Sequence, residues 1–177
     1  MGCAGDIKTG NPPKEVNAVI EVPKGSSNKY EYDAKENCFK LDRALHSAVF
    51  FPFDYGFIPG TKSIDGDALD IMVLTEQPTF TGCVIKSRVI GLFEMEDESG
   101  TDYKIVAVPA SDVEPRLKEI KTVNDLQSHR KKEIEDFMSH YKSLEPKKWV
   151  RIVGFKGIDK AYKIIKKSLV SGKQRKR

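Results

Sequence analysis

Three aspartates fall within six residues, Asp65, Asp67 and Asp70, directly before the apolar segment 71–74. In an extended strand, whose dipeptide advances about 6.6 Å, Asp65 and Asp67 would share one face and Asp70 would point to the other. Gly66 favours a turn instead, which would fold the three carboxylates toward one point. Carboxylates brought together repel one another unless a cation lies among them. Mg²⁺ uses carboxylates, water and substrate phosphates as ligands, so the segment predicts a divalent metal site.

Two alternatives compete for this acidic segment. A single Asp-Gly-Asp usually indicates a solvated acidic turn before a strand. A third Asp at the edge of an apolar strand weakens this interpretation. An EF-hand loop would use Asp65 and Asp67 as positions one and three and Glu76 as position twelve. It fails at position six, where the sharp turn needs Gly and this chain has Asp70.

Length and composition predict one soluble globular domain. The chain has 177 residues, of which 39% are hydrophobic and 32% charged, enough for one well-buried core. No apolar run approaches the roughly 20 residues that span a bilayer, so we expect no membrane insertion. We expect a flexible lead-in over residues 1–16, the domain over 17–171 and a basic tail over 172–177.

Charge and cysteine content narrow the function classes. The net charge is +4, and the tail carries the excess, so the domain itself is close to neutral. A neutral domain with a basic tail does not indicate nucleic-acid binding by charge alone. Cys3, Cys38 and Cys83 are odd in number and lack a C-x-x-C spacing, which favours reduced thiols in a cytoplasmic compartment.

Periodicity predicts many strands followed by two late helices. In the first strand, alternation places Val19 and Glu21 on one face and Ile20 and Val22 on the other. This order favours an antiparallel α+β domain, most simply a small closed barrel with helices packed on it. The predicted strands cover residues 17–22, 29–33, 38–41, 70–75, 84–95, 103–108 and 149–155, and the helices cover 128–144 and a closing segment from 158 to 169.

A second acidic pair is predicted at a hairpin. If residues 98–101 form the turn, Asp97 and Asp102 stand opposite each other, with Cβ atoms about 4.5–5.5 Å apart, where like charges destabilise a sheet. Lys104 shares the face of Asp102 and could compensate it. A metal site and a lysine-compensated surface turn therefore both remain open here.

Taken together, these residues resemble the family I soluble inorganic pyrophosphatases of the prokaryotic type. The resemblance runs from about Asn17 to the last helix. It rests on Asp65-Gly66-Asp67-x-x-Asp70, and on matches that follow one another at nearly the family's spacing: Glu21, Lys29-Tyr30-Glu31, Asp42-Arg43, Tyr55-Gly56, Asp97, Asp102, Lys104, Val106-Ala107-Val108-Pro109, Tyr141-Lys142 and Lys148-Trp149-Val150.

The resemblance implies a fold and an activity. The fold is an OB-like five-stranded closed antiparallel β-barrel with two main helices, assembled as a homohexamer, with His140 at a subunit contact or simply on the surface. The activity is hydrolysis of pyrophosphate to two phosphates, with several Mg²⁺ ions per site and Mn²⁺ or Zn²⁺ as possible substitutes. Partners would be pyrophosphate and further copies of the chain, without nucleic acid or membrane.

The resemblance also implies roles for individual residues. Asp67 would be the general base that accepts a proton from the attacking water. The metal-binding set would be Asp65, Asp70, Asp97, Asp102, Glu21 and Glu31. The substrate-binding set would be Lys29, Arg43, Tyr55, Lys104, Tyr141 and Lys142.

The chemistry of pyrophosphate hydrolysis agrees with this distribution of residue types. Paired metals lower the pKa of bound water toward about 7 and clamp the attacking and leaving oxygens. Cationic side chains then stabilise charge on the phosphoryl oxygens, and tyrosines add neutral hydrogen bonds. Three positions depart from the family pattern, with Ala68 where Pro is frequent, Phe51 where Tyr is common and Asp54 in place of Asn, so we expect altered metal affinity rather than another reaction.

The main rival is an OB-fold nucleic-acid binding module with a structural metal site. It predicts a positively charged groove with exposed stacking aromatics, whereas the groove expected here carries at least six carboxylates. A scaffold stabilised by Ca²⁺ is a second rival, in which Asp67 would have no catalytic role. Serine hydrolase and P-loop classes lack their motifs, since there is no G-x-S-x-G and Gly60-Thr61-Lys62 lacks the earlier glycine.

Overall fold

The computed structural model describes residues 7–64 and 66–170. Strands dominate the first two thirds of the chain, and two α-helices follow. None of the helices in these ranges is long and apolar enough to cross a bilayer. The elements are β1 (Gly10–Asn11), β2 (Glu15–Val22), β3 (Asn28–Asp33), β4 (Cys38–Ala44), β5 (Asp54–Ile58), β6 (Leu69–Val73), β7 (Val84–Asp97), β8 (Gly100–Pro109), α1 (Ser128–His140), β9 (Val150–Lys156) and α2 (Ile158–Ser168), with 3-10 turns at Pro115–Leu117 and Val123–Asp125.

Five strands close into a ring in the order β2, β5, β6, β8 and β7, because β2 pairs with both β5 and β7. Four of the five pairings are antiparallel, and β6 pairs with β8 in parallel. β3 and β4 form a separate hairpin, and β9 extends the sheet beyond β7. This arrangement confirms the predicted strand-rich α+β fold with two helices, and the parallel pair corrects the expectation of a wholly antiparallel barrel.

The sheet buries side chains on both of its faces. Along β6, Met72 packs into one hydrophobic cluster and Ile71 and Val73 pack into another. α1 covers the first cluster with Ile134, Phe137 and Met138, and α2 contributes Ala161 and Ile165 to the second. Asp70 shares the face of Met72 because side chains alternate along a strand. The acidic end of β6 therefore opens on the α1 side.

A β-bulge in β2 changes the predicted faces of the first strand. Ile20 pairs with Gly56 and Val22 pairs with Tyr55, so Glu21 is an extra residue between two consecutive partners. Ile20 and Val22 consequently belong to different clusters, and the prediction that they share a face is wrong. Bulges re-aim side chains beside functional sites.

Several helix and strand boundaries differ from those that the sequence periodicity predicts. α1 ends at His140 instead of residue 144, because Ser143 and Glu145 donate their N–H groups to residues three positions earlier, His140 and Lys142, as in tight turns. Leu144 is exposed and does not extend the apolar stripe. Strand structure also begins before residue 17, since β1 pairs with the start of β2.

The register of the β7–β8 hairpin corrects one specific expectation. Asp97 pairs with Gly100, and Asp102 pairs with Met95. The turn is therefore tighter than residues 98–101, and the two aspartates lie diagonally on one face instead of opposite each other. Diagonal neighbours are typically about 7–8 Å apart.

Gly56 lies against the backbone of β2, where it pairs with Ile20, and this contact yields a stability prediction. A Cβ at this position would lie 1.9 Å from the carbonyl oxygen of Val19 and 2.9 Å from Cα of Ile20. Because both obstacles are backbone, Gly56→Ala must push β5 away from β2 and should lower the free energy of unfolding by about 3 kcal/mol or more. Urea titration followed by circular dichroism measures this loss.

Gly157→Ala is the matched control, since a Cβ there meets nothing within 4 Å. Its cost should stay near 1 kcal/mol, as for a changed helix N-cap. Equal losses for the two variants would contradict the packing argument.

Candidate active site

A cavity of about 580 Å³ opens where β2, the β3–β4 hairpin, β5, β6, β8 and the segment after α1 meet. It brings together residues that are far apart in the sequence. Its lining includes eleven of the predicted site residues: Glu21, Lys29, Glu31, Arg43, Tyr55, Asp67, Asp70, Asp102, Lys104, Tyr141 and Lys142.

The centre of the cavity is a lysine held between two carboxylates. Nζ of Lys104 lies 2.5 Å from Oδ2 of Asp70 and 2.7 Å from Oδ2 of Asp102. The hydroxyl of Tyr55 also donates to Oδ2 of Asp70, at 2.7 Å. These contacts follow from topology, because β5 and β8 flank β6 and their side chains on one face converge.

Electrostatics at this centre keep Lys104 charged and Tyr55 neutral. Burial alone would lower the pKa of Lys104, but Asp70, Tyr55 and Asp102 outweigh it and hold that pKa well above its ordinary value. Burial and the charge of Asp70 raise the pKa of Tyr55 well above its usual range. The phenol is therefore a hydrogen-bond donor throughout the physiological pH range.

Glu21 enters the cavity from the bulge in β2. Its Oε1 accepts a hydrogen bond from the backbone N–H of Tyr32, at 2.8 Å, which links β2 to the hairpin. Burial, reinforced by the nearby carboxylates of Asp70 and Glu31, raises the pKa of Glu21 to about 7, although the Tyr32 hydrogen bond and Lys29 oppose the shift. In the metal-free protein Glu21 thus holds its proton up to near neutral pH.

The β3–β4 hairpin supplies two cations that face each other across the strands. Lys29 pairs with Arg43 in the register. Nζ of Lys29 contacts Glu31 and lies 3.4 Å from Oδ2 of Asp42. Nη1 of Arg43 contacts the same oxygen of Asp42. Both Lys29 and Glu31 line the cavity. The alternation of their strand had left undecided whether these side chains face a cleft or the solvent.

The segment after α1 contributes Tyr141 and Lys142. Nζ of Lys142 lies 2.8 Å from Oδ2 of Asp97, and Ser99 donates its N–H to the other oxygen of that carboxylate. Burial would raise the pKa of Asp97, but Lys142 and the Ser99 hydrogen bond outweigh it and hold that pKa below its ordinary value. Asp97 is buried and does not line the cavity, so its link to the site runs through Lys142.

The predicted carboxylates are only partly gathered. Within residues 7–64 and 66–170, no three His, Cys, Asp or Glu side chains converge closely enough to hold one metal ion. Asp65 lies outside the described residues. Asp67 is exposed on the rim, and Gly66 before it has φ of +100°, the conformation expected for the predicted turn.

Sequence reasoning missed three residues of the site region. Tyr32 and Phe57 line the cavity with stacked rings whose centroids are 5.8 Å apart. The alternation along residues 29–33 placed Tyr32 on the face opposite Lys29 and Glu31, so it gave no signal for this position. Glu145 contacts Arg43 across 102 positions of sequence, which no local pattern indicates.

The residues that depart from the family pattern have distinct environments. Phe51 is buried against the rings of Tyr55 and Phe137. Asp54 is buried, and its carboxylate accepts hydrogen bonds from the backbone of Lys24 and the hydroxyl of Thr79. Ala68 lines the cavity.

Comparisons with known proteins agree on one family. The family profile described as Inorganic pyrophosphatase matches residues 18–173. An inorganic pyrophosphatase of Synechocystis is 54% identical over 144 residues, which are 81% of this chain and 83% of that protein. One of Aquifex pyrophilus is 42% identical over 164 residues, 93% of each chain.

Structural comparison leads to the same result. The crystal structure of the inorganic pyrophosphatase from Thermus thermophilus superposes with a TM-score of 0.90 at 42% identity, covering 95% of this chain and 97% of the other. Because the profile spans most of the sequence and the relatives match along nearly their whole length, the resemblance inferred from the acidic motif is confirmed. The chain belongs to the inorganic pyrophosphatase family.

Proposed function

We propose that this protein hydrolyses inorganic pyrophosphate to two phosphates in the cavity around Lys104. The observation that carries the proposal is the convergence of Asp70 and Asp102 on one cation position, within a cavity that cationic side chains reach from three other segments. A highly anionic substrate needs this combination, because carboxylates hold metals and cationic side chains bind phosphoryl oxygens.

The donor set fits a hard divalent ion. Two carboxylate oxygens already lie within 2.7 Å of a single cationic atom, and Mg²⁺ prefers oxygen ligands of this kind. We assign Asp70 and Asp102 to the metals, with Asp65, Asp97, Glu21 and Glu31 assigned by family resemblance. Bound metals would supply an activated water and neutralise developing charge.

The side chains of the chain itself bind substrate and move the proton. Lys29, Arg43 and Lys142 hold the phosphoryl oxygens as charge accumulates on them, and the buried phenol of Tyr55 donates a neutral hydrogen bond. Asp67 accepts the proton of the attacking water as the new P–O bond forms. The bond from the attacked phosphorus to the bridging oxygen breaks, and that oxygen leaves with the second phosphate.

Further assignments rest on resemblance together with exposed features of this chain. We propose a homohexamer, and Phe50, Phe80 and Trp149 are large apolar side chains that remain exposed in one copy. We also propose a cytoplasmic location, with which the free thiols of Cys38 and Cys83 agree. Tyr141 and Lys104 complete the proposed substrate-binding set.

The nucleic-acid alternative finds no support in the comparisons. The cavity is lined by acidic side chains of Glu21, Glu31, Asp67, Asp70 and Asp102, which would repel the phosphodiester backbone of a nucleic acid. Metals bound by these carboxylates suit a small chelating substrate better.

Replacing the proposed base tests the mechanism. Asp67→Asn keeps the shape of the side chain but removes its proton-accepting capacity, so kcat for pyrophosphate should fall by about 10²- to 10⁴-fold. A colorimetric phosphate-release assay with Mg²⁺ measures this loss, and an excess of EDTA should abolish turnover of the wild type.

Asp112→Asn is the matched control for this experiment. The side chain of Asp112 is 66% exposed and pairs with Lys86 away from the cavity, so its loss should leave turnover unchanged. Near-wild-type kcat from Asp67→Asn would remove Asp67 from the assigned role.

The pKa of Glu21 predicts how stability depends on pH in the metal-free protein. The folded state binds this proton up to about pH 7, whereas the ordinary pKa is 4.5. The stabilisation from protonated Glu21 is therefore complete below about pH 4.5 and is lost as pH rises through 7. Across this window the wild type should lose up to about 3 kcal/mol relative to Glu21→Gln.

Urea denaturation of both proteins in EDTA, at several values between pH 5 and 8, measures this difference. Parallel stability curves for the two proteins would show that Glu21 titrates alike in the folded and unfolded states.

A further inference from the structure

Arg43 is a cavity cation whose side chain is held from outside the cavity. Its Nε donates a hydrogen bond to Oε1 of Glu145, at 2.9 Å. The side chain of Glu145 is only 9% exposed, against 27% for that of Arg43. Because a buried carboxylate is costly unless it is paired, this contact is the main compensation for placing Glu145 there.

Glu145 belongs to the same turn that supplies Tyr141 and Lys142. Its backbone N–H donates to the carbonyl of Lys142, at 2.9 Å. The hydroxyl of Ser47, shortly after β4, donates to the carbonyl of His140, at 2.9 Å, and lies 3.1 Å from the hydroxyl of Ser143. The end of β4 and the turn after α1 are thus tied together at several points.

We propose that Glu145 is a positioning residue that orients the guanidinium of Arg43 toward the substrate. A guanidinium has five N–H groups in a planar fork. With Nε engaged by Glu145 and Nη1 in contact with Asp42, rotation of the fork is restricted before substrate arrives, and phosphoryl oxygens would bind the Nη groups in competition with Asp42. This inference rests on the proposed function, and it gives a single turn control over three substrate-binding side chains.

The chemistry of the contact favours positioning over charge neutralisation alone. Asp42 already provides a carboxylate at Nη1 of Arg43, so a second carboxylate is not required for charge balance. Burial of Glu145 and its fixed place on the turn add geometric restraint instead. A misplacement of about 1 Å in a catalytic constellation can cost about 10²-fold in rate.

A double-mutant cycle between Glu145 and Arg43 tests the proposal. Glu145→Ala should lower kcat/KM for magnesium pyrophosphate about 10- to 100-fold. Glu145→Gln keeps an acceptor for Nε and should stay within about threefold of the wild type. In an Arg43→Ala background, Glu145→Ala should change kcat/KM by less than about threefold, because its effect passes through Arg43.

Equal losses from Glu145→Ala in both backgrounds would overturn the proposal, since a merely structural role does not depend on Arg43. Glu119→Gln, whose side chain is 81% exposed, is the control for loss of a negative charge. Thermal unfolding of every variant checks folding. If Glu145→Ala does not fold, Glu145→Asp, which withdraws the carboxylate by one methylene, replaces it in the double-mutant cycle.

The test separates this proposal from the proposed function. A wild type that releases no phosphate would overturn the function itself. An active wild type with additive losses would overturn only the positioning role. Where Arg43→Ala turns over too slowly, calorimetric binding of methylenediphosphonate with Mg²⁺ supplies the cycle, and the same non-additivity is expected in affinity.

Discussion

The buried ammonium of Lys104 between Asp70 and Asp102 is the interaction on which the arrangement of the cavity depends. The Lys104 side chain is 6% exposed, and a charge taken out of water is tolerated only when it is paired and hydrogen-bonded. Two carboxylates on neighbouring strands would repel each other without a cation between them. The parallel pairing of β6 with β8 therefore brings the two repelling carboxylates and the lysine that compensates them to the same place.

The rest of the cavity repeats this pattern of opposed charges on separate elements. Lys142 balances Asp97, and Arg43 is shared between Asp42 and Glu145. In the absence of metal and substrate these pairs satisfy one another within the chain. Divalent ions and an anionic substrate would offer each group a second partner, so binding would exchange internal ion pairs for ligand contacts. Several residues that take part in these ion pairs, among them Lys104, Lys142 and Arg43, are thus also residues proposed to bind substrate.

Local sequence patterns predicted features that depend on residues close together in the sequence. They failed for features that depend on contacts between distant segments. The turn at Gly66 is local, and it was predicted. The strict alternation predicted for β3 was not found, because its register shifts after Lys29 and Tyr32 lines the same cavity as Glu31. The bulge at Glu21 was not, because an extra residue in a strand is visible only against its partner strand. The register of Asp97 and Asp102 depended on one turn position, and the contact of Glu145 with Arg43 joins segments 102 positions apart. Resemblance to the family indicated eleven residues that line the cavity, and strand alternation predicted that Lys104 could compensate Asp102. Neither indicated the ion pair of Lys142 with Asp97 or that of Arg43 with Glu145.

Asp70 and Asp102 form the proposed divalent cation site, and Lys104 compensates these two carboxylates when no metal is bound. Anomalous diffraction from crystals soaked in Mn²⁺ distinguishes this site from other positions. We expect an anomalous peak in contact with carboxylate oxygens of both Asp70 and Asp102, with Nζ of Lys104 withdrawn from at least one of them. A fully occupied Mn²⁺ peak elsewhere, with Lys104 still bridging the two aspartates, would contradict it.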